Sequence, residues 1–289
     1  MNEIYTTVKK RKEKELNVVD NKILSLLNSC HNELNSYYKK FLFSNAKRLR
    51  PLFILLVAEL ENIELNEDVF NLICSIELIH NASLIHDDIL DDAVLRRNME
   101  CIHINKGDKI AVLAGDYLLT CAMECLSDIK NDCVYKIISN AAKDMTKSEI
   151  NALLTRFNKI SIEDYIKISK EKTSSLFTSA ISSLYKIKEM KENKNIINFS
   201  ESFSLCFQIK DDMNNFLNKD ECKCSKDIQE GIFTLPVILG AKTKNDYDII
   251  QKSNKFLDDL IIKTKEFLID YPNSGAKKDL FSLIDLFKG

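Results

Sequence analysis

The chain has 289 residues, a formal net charge of −2, and only six glycines, three prolines and no tryptophan. Average usage is roughly 7% glycine and 5% proline, so this sequence has too few turn residues for a β-sandwich, a barrel or a doubly wound α/β fold. The charge balance also argues against a nucleic-acid-binding protein.

Neither a transmembrane segment nor a secretion signal is predicted. The longest apolar run, Leu52–Ala58, is far shorter than the ~20 residues that a membrane helix needs, and the N-terminus mixes charges without an apolar segment. The nine cysteines include no CxxC pair, which favours reduced thiols in a cytoplasmic protein over disulfides or a zinc site.

Taken in chain order, the sequence reads as successive helices separated by polar segments. These breaks lie at 62–68, 105–109, 127–132, 158–164, 188–195, 218–226 and 242–248. Between them apolar residues recur at spacings of three and four, as in the stripe Leu72, Ile76, Ile79 and Ser83. We therefore predict a single all-α domain over residues 1–289, with roughly ten helices.

One predicted helix becomes acidic where its apolar stripe should continue. His80, Asp87 and Asp91 follow Ile76 on the same face, and Asp88 lies beside them. Such carboxylates repel one another on a helix, so the segment is either a solvated acidic face or a site for a hard divalent cation. Mg²⁺ takes one or two protein carboxylates, keeps several waters and accepts phosphate oxygens.

A second acidic stripe follows later in the chain. Gln208, Asp211 and Asn215 share one face of a predicted helix, with Asp212 alongside, and an aromatic stretch precedes them. Two such stripes predict two helices that face each other across a cavity, with metal at its mouth and apolar walls below.

Arginine is scarce in this chain, and its distribution is uneven. Four of the six arginines, Arg48, Arg50, Arg96 and Arg97, form two tight clusters. The planar guanidinium matches phosphate through two hydrogen bonds, whereas lysine acts as a point charge. The two clusters therefore favour phosphate binding.

Together these segments resemble the trans-isoprenyl diphosphate synthases, or polyprenyl synthetases, from about residue 41 to residue 240. HDDILDDAVLRR resembles the first aspartate-rich motif with its arginine pair, FQIKDDMNNF resembles the second, and AKRLRP resembles the upstream basic element. VLAGDYLL, KTSSLF and DIQEGIFTLPVI follow in the family's order. The resemblance implies an isoprenoid-synthase-type helical bundle around a central cavity, a homodimer, and condensation of isopentenyl diphosphate with an allylic prenyl diphosphate.

The resemblance also implies roles for individual residues of this sequence. The Mg²⁺ ligands would be Asp87, Asp88, Asp91, Asp211 and Asp212, the last acting through water. The diphosphate of isopentenyl diphosphate would be bound by Lys47, Arg50, His80 and Arg97. The allylic diphosphate would be bound by Arg96, Lys172, Thr173 and Gln208. For His80 taken alone, an ordinary core histidine is the alternative.

Product length is predicted from the floor of the cavity. In this family the residue five positions before the first aspartate often forms that floor, and here it is Ala82, followed by Ser83. Ile79 lies about one helical turn deeper, at ~5.4 Å. Because small side chains leave the first floor open, we predict a product longer than farnesyl diphosphate, of C20 or longer.

The sequence departs from the family pattern at several positions. Asn45 stands where glycine is usual, Asn215 replaces the third aspartate of the second motif, and Ile232 replaces a lysine that Lys223 or Lys226 would substitute. These departures leave open a non-catalytic or regulatory subunit of a hetero-oligomeric prenyltransferase.

Two other enzyme classes share parts of this pattern. A metal phosphohydrolase would use His86 and Asp87 as an HD pair, but that leaves the second acidic stripe unexplained. A terpene cyclase would share DDxxD without needing AKRLRP for a second diphosphate.

Overall fold

A computed structural model describes residues 3–27, 31–44, 46–218, 231 and 233–288, and these residues are helical almost throughout. The α-helices in chain order are α1 (Glu3–Arg11), α2 (Glu13–Leu27), α3 (Asn32–Phe43), α4 (Leu49–Leu60), α5 (Glu67–Leu90), α6 (Ile102–Lys106), α7 (Asp108–Ser127), α8 (Asp132–Leu154), α9 (Ile162–Ser169), α10 (Ser175–Ile187), α11 (Lys194–Asn218), α12 (Leu235–Ile238), α13 (Tyr247–Glu266) and α14 (Gly275–Asp285). The prediction of an all-α fold is confirmed.

Two short elements interrupt this helical pattern. A hairpin follows α5 and pairs β1 (Leu95–Arg96) with β2 (Met99–Glu100). A π-helical turn, π1 (Lys170–Ser174), connects α9 to α10. Neither element was predicted, and with the short helix α6 they give more elements than the roughly ten helices expected.

The predicted polar breaks coincide with the ends of helices. The segment 62–68 separates α4 from α5, 127–132 separates α7 from α8, and 188–195 separates α10 from α11. The breaks at 105–109, 158–164 and 242–248 also fall between consecutive helices. The break at 218–226 begins where α11 ends, and its remainder lies outside the described residues.

The described residues divide into two compact units. The α5 unit takes its residues from Thr7–Lys136 and Ser183–Met190, and the α11 unit takes its residues from Met1–Thr6, Ile137–Ser182 and Lys191–Gly289. The single domain over residues 1–289 stays a prediction.

In the α5 unit, α4 and α5 build the core. Every residue of α4 except Glu59 is buried, because this sequence is apolar around the whole helix. α5 begins after Asn66, whose side-chain oxygen accepts a hydrogen bond of 3.1 Å from the Val69 N–H. It packs against α2, α4 and α7, and its predicted apolar stripe is buried except for the half-buried Ser83.

α7 packs on α5 and also carries an exposed apolar face. Leu113 is 62% exposed and Met123 is 53% exposed. By length and composition alone α5 and α7 could each cross a membrane, and 72% of the apolar stretch of α5 and 44% of that of α7 is buried. Buried core helices also meet this criterion, so the absence of a transmembrane segment stays a prediction.

In the α11 unit, α11 is the central helix, in contact with α9, π1, α12, α13 and α14. The Phe203 ring lies 5.9 Å from the Phe199 ring and 5.2 Å from the Phe287 ring, between ring centroids. The aromatic stretch before the second acidic stripe therefore builds the core that fixes α11.

The cysteines of the described residues are six free thiols, five of them buried. Their reduced state in the cell stays a prediction. The cytoplasmic location stays a prediction.

Candidate active site

The first acidic segment lies at the C-terminal end of α5. The helix ends at Leu90, and Asp91 is its C-cap residue, whose N–H donates to the Asp87 carbonyl at 2.9 Å. Asp92 has a φ of 47° and takes the chain out of the helix. Asp87 and Asp91 thus remain one turn apart as predicted, although Asp91 lies at the cap of α5 and not inside the helix.

This position makes the end of α5 strongly negative. The last carbonyl groups of a helix carry partial negative charge, and the last turn of α5 contains no basic residue. Carboxylates are unfavourable at a helix C-terminus, so a positive charge is needed nearby.

Arg96 supplies one such charge. Asp88 is 1% exposed, and its Oδ1 accepts hydrogen bonds from Arg96 Nε at 2.7 Å and from Arg96 Nη2 at 2.6 Å. Burial acts to lower the pKa of Arg96, but the hydrogen bond to Asp88 raises it overall. The predictions gave Asp88 to the metal and Arg96 to the allylic diphosphate, whereas here the two side chains bind each other.

The Cys101 thiol lies beside the same carboxylate. Burial, followed by the charge of Asp88 and a hydrogen bond to it, raises the pKa of Cys101 to about 12. The thiol therefore stays protonated at neutral pH.

The basic clusters predicted from the sequence meet around His80. Burial, followed by the charges of Arg50, Arg97, Arg96 and Arg48, lowers the pKa of His80 well below its ordinary value. His80 is therefore neutral at pH 7, with one ring nitrogen that donates and one that accepts. The structure thus brings together AKRLRP, His80 and the arginine pair after α5.

The arginines of this cluster differ in their partners. Arg48 is 5% exposed, donates to Glu77 at 2.9 Å and also pairs with Asp20, so it is committed to the core. Arg97 Nη1 donates to the Phe41 carbonyl at 2.6 Å and to the Asn81 side-chain oxygen at 3.2 Å. Among the described residues the hydrogen-bond partners of Arg97 are neutral, so its charge remains available to an anion.

The hairpin turn sets the position of Arg97. Arg97 and Asn98 have φ angles of 55° and 64°, as a two-residue type I′ turn requires. This turn reverses the chain between β1 and β2, which lets Arg96 reach back to Asp88 and Arg97 reach Phe41.

In the α11 unit, Asp212 accepts a hydrogen bond on each carboxylate oxygen. Tyr165 of α9 donates to Oδ2 at 2.6 Å, and Gln208 Nε2 donates to Oδ1 at 2.8 Å. Thr173 of π1 in turn donates to Gln208 Oε1 at 2.5 Å. Burial raises the pKa of Asp212 to about 6, although the hydrogen bonds from Tyr165 and Gln208 act to lower it.

Two further predicted residues lie near this network. Asp211 is half-buried next to Asp212 on α11. Lys172 lies in π1, and its Nζ donates to Glu149 Oε2 at 2.5 Å. Thr173 and Gln208, which the resemblance gave to the allylic diphosphate, bind each other in the structure.

The donors at the end of α5 fit Mg²⁺. Within the described residues no three His, Cys, Asp or Glu side chains lie close enough to hold a metal by themselves. Asp87 is half-buried and Asp91 is exposed, and both offer hard carboxylate oxygens. Mg²⁺ is bound by one or two carboxylates together with waters and substrate phosphates, so this donor set suits an ion that binds with its substrate.

The predicted floor residues differ in accessibility. Ala82 is fully buried and Ile79 is nearly so. Ser83 is half-buried, and its hydroxyl donates to the His80 carbonyl at 2.8 Å. Their role in product length stays a prediction, with Ser83 the most accessible of the three.

Some predictions fall on residues that the structure does not describe, namely Asn45, Lys223, Lys226 and Ile232. Asn215 is described and exposed. Lys47 is exposed and Arg50 is buried. Sequence reasoning missed Tyr165, and no local pattern connects it with a carboxylate 47 residues away.

Comparison with known proteins identifies the family. The Polyprenyl synthetase family model matches residues 31–265. The chain is 32% identical over 278 residues to a prenyl transferase of Porphyra purpurea, a match that spans 93% of this chain and 85% of that protein. It is 32% identical over 241 residues to the chloroplastic solanesyl diphosphate synthase 2 of Arabidopsis thaliana, over 80% of this chain and 58% of that one.

A solved structure shares the fold. It is a polyprenyl synthase from Caulobacter crescentus, complexed with calcium and isoprenyl diphosphate. It matches with a TM-score of 0.85 and 21% identity over 98% of this chain and 97% of that one. The family match, the close relatives and the shared fold agree with the motifs found in the sequence. The chain therefore belongs to the polyprenyl synthetase family, and it is a prenyltransferase.

Proposed function

We propose that this chain is a magnesium-dependent trans-polyprenyl diphosphate synthase. It transfers the prenyl group of an allylic diphosphate to isopentenyl diphosphate and makes a product of C20 or longer. The observation that carries this proposal is the arginine cluster around the neutral His80, in which Arg97 has only neutral hydrogen-bond partners among the described residues.

Lys47, Arg50, His80 and Arg97 are the proposed site for the diphosphate of isopentenyl diphosphate. Guanidinium groups bind phosphate oxygens in pairs, and the neutral imidazole of His80 donates one more hydrogen bond. Holding the diphosphate at fixed donors restricts the position of the double bond that attacks the allylic carbon.

The carboxylates are the proposed metal ligands, Asp87 and Asp91 in the α5 unit and Asp211 in the α11 unit. Bound magnesium supplies charge stabilisation for the departing diphosphate. Arg96 and Lys172 are proposed to exchange their present carboxylate partners, Asp88 and Glu149, for the allylic diphosphate. Asp212 is proposed to act on the metal indirectly, because hydrogen bonds engage both of its oxygens. Asp88 is proposed as a further ligand once Arg96 leaves it, because Arg96 engages only its Oδ1 and its buried Oδ2 has no hydrogen-bond partner among the described residues.

The long product is supported by two observations. Ala82 and Ser83 are small where an aromatic residue would close the floor. The relatives include a solanesyl diphosphate synthase, named for a long-chain product.

A homodimer is also proposed. The α5 unit exposes apolar side chains at the end of α5, on the segment that follows it and on α7, at Leu90, Val94, Leu95, Leu113 and Met123. Large apolar side chains that remain exposed in this way are candidates for a protein–protein interface. Light scattering of the purified chain tests this proposal, and a monomer would contradict it.

Turnover of the purified protein tests the function. The protein is incubated with isopentenyl diphosphate, Mg²⁺ and geranyl, farnesyl or geranylgeranyl diphosphate, and product length is read by mass spectrometry. We expect products of C20 or longer that disappear when EDTA removes the metal. A product no longer than farnesyl diphosphate would contradict the proposed length. Turnover only after a second polypeptide is added would favour the regulatory subunit instead.

A further inference from the structure

We propose that Tyr165 is a positioning residue of the second aspartate motif. Its hydroxyl fixes the carboxylate of Asp212, so that the neighbouring Asp211 is left as the direct metal ligand on α11. This inference rests on the proposed function, because it assigns a role within the same metal site.

Each carboxylate oxygen of Asp212 accepts a short hydrogen bond. Tyr165 is 4% exposed and donates to Oδ2 at 2.6 Å, while Gln208 donates to Oδ1 at 2.8 Å. Rotation of the Asp212 carboxylate towards an ion would break both bonds. Burial, followed by the charge of Asp212, raises the pKa of Tyr165 well above its ordinary value, so the hydroxyl remains a donor.

The π-helical turn makes this arrangement possible. Tyr165 and Thr173 are eight residues apart, and both hydrogen-bond to side chains of α11. Two turns of a regular α-helix take about 7.2 residues, and a π-turn accommodates about one more. In π1 the Ser175 N–H donates to the Lys170 carbonyl, and this widened turn brings both side chains to the same face.

The neutral nature of the donors matters for a cation site. A tyrosine hydroxyl and an amide hold Asp212 in place without cancelling its charge, unlike the arginine that binds Asp88. Asp212 therefore adds to the negative potential around Asp211 while its own oxygens stay engaged. Outer-shell hydrogen-bond partners of a metal site typically change its metal affinity 10–100-fold when they are removed.

Tyr165→Phe tests the proposal, because it removes only the hydroxyl. The matched control is Tyr185→Phe in the α5 unit, where a buried tyrosine donates to Glu61 Oε2 at the same distance of 2.6 Å. The first measurement needs no turnover: Mg²⁺ is titrated calorimetrically into each protein with inorganic diphosphate present. We expect about 10-fold weaker Mg²⁺ binding for Tyr165→Phe and wild-type binding for Tyr185→Phe.

Turnover gives the second measurement. For Tyr165→Phe the Mg²⁺ concentration at half-maximal rate is expected to rise about 10-fold, with kcat at saturating Mg²⁺ little changed. Unchanged Mg²⁺ affinity in Tyr165→Phe, or equal weakening in both variants, would overturn the inference.

Two further outcomes, an inactive wild-type protein and a variant that does not fold, can be told apart from a failure of the inference. If the wild-type protein transfers no prenyl group, the proposed function fails, while the calorimetric comparison still decides the role of Tyr165. If Tyr165→Phe does not fold, as judged by its melting curve, Gln208→Met removes the other donor to Asp212. That variant is expected to weaken Mg²⁺ binding similarly, and wild-type affinity there would contradict the proposal.

Discussion

The Asp87–Asp88 pair of α5 and the Asp211–Asp212 pair of α11 are alike in sequence but are restrained differently. In each pair the second aspartate accepts hydrogen bonds from side chains of the same unit. Asp88 is bound by a cation, Arg96, whereas Asp212 is bound by the neutral side chains of Tyr165 and Gln208.

The position of each pair in its helix explains this difference. Asp88 lies in the last turn of α5, where the helix dipole and the nearby Asp91 and Asp92 add negative charge. Asp212 lies well inside α11, which continues to Asn218. A carboxylate at a helix C-terminus thus needs a positive partner, and one inside a helix can be held by neutral donors.

The largest expected effect concerns the first aspartates. Replacing Asp87 and Asp88 together by Ala removes a proposed metal ligand and the partner of Arg96, so we expect a loss of product of about 10³-fold or more. The measurement is prenyl transfer at saturating Mg²⁺. The matched control is the adjacent pair on α13, Asp258→Ala with Asp259→Ala, which should retain activity.

Retained activity in the α5 double variant would refute the metal assignment. A comparable loss in the α13 variant would show that removal of any acidic pair disrupts the protein, and the comparison of the two motifs would then have no support.

The next effect is a difference in stability between variants of the two aspartates, Asp88 with its charged partner and Asp212 with its neutral donors. Asp88→Asn leaves the half-buried Arg96 without its counter-charge, and we expect it to lower the free energy of unfolding by about 2 kcal/mol. Asp212→Asn disturbs bonds from neutral donors, and we expect a loss of about 1 kcal/mol. Urea unfolding of both variants measures the difference.

A second substitution sharpens this test. In the Asp88→Asn background, Arg96→Met removes the unpaired charge and should recover part of the lost stability. Equal losses in Asp88→Asn and Asp212→Asn would show that a charged and a neutral restraint contribute alike.

The length of the product tests the proposed floor residues Ala82 and Ser83 of α5, which lie one to two turns before Asp88. Ser83→Phe and Ala82→Phe should both shorten the product, read by mass spectrometry. Because Ala82 is fully buried, phenylalanine there should also cost about 1–3 kcal/mol through overpacking, whereas the half-buried Ser83 should tolerate it better. Ile104→Phe, at an exposed site on α6, serves as the control, and unchanged length in both floor variants would contradict the floor assignment.

The smallest expected effect is a dependence of protein stability on pH, which arises because burial and the arginines around His80 lower its pKa. The pKa of His80 is lowered in the folded protein from its ordinary 6.5, so below pH 6.5 the unfolded chain binds a proton that the folded one does not. Stability should therefore fall as the pH drops below 6.5, by up to about 1.4 kcal/mol per pH unit. Urea unfolding between pH 7.5 and 5.5 (roughly the range over which an ordinary histidine titrates) measures this slope, and His80→Gln should flatten it.

Much of this molecule could be predicted from the sequence, because its helices are long and strongly periodic. The polar breaks predicted the helix ends, and the spacing of Asp87 and Asp91 predicted that they lie one helical turn apart. The contact between Asp88 and Arg96 could not be predicted in this way, because it depends on a hairpin whose turn contains no glycine or proline.

The network on α11 was beyond sequence reasoning for a different reason. Tyr165 and Asp212 are 47 residues apart, and periodicity gives the face of a helix but not the face of its neighbour. The π-turn at Lys170–Ser174 shifts that face by about one residue. This segment contains no glycine or proline, so nothing in the local sequence indicates the shift.

The left-handed turn at Arg97 and Asn98 has a consequence for engineering a more stable chain. Both backbones occupy a conformation that costs a non-glycine residue roughly 1–2 kcal/mol, and asparagine tolerates it better than arginine does. Glycine at position 98 would relax the turn without changing the arginine cluster around His80. The same substitution at position 97 would remove the guanidinium of a proposed site residue, so selection for heat resistance and selection for activity would conflict at position 97 but not at position 98.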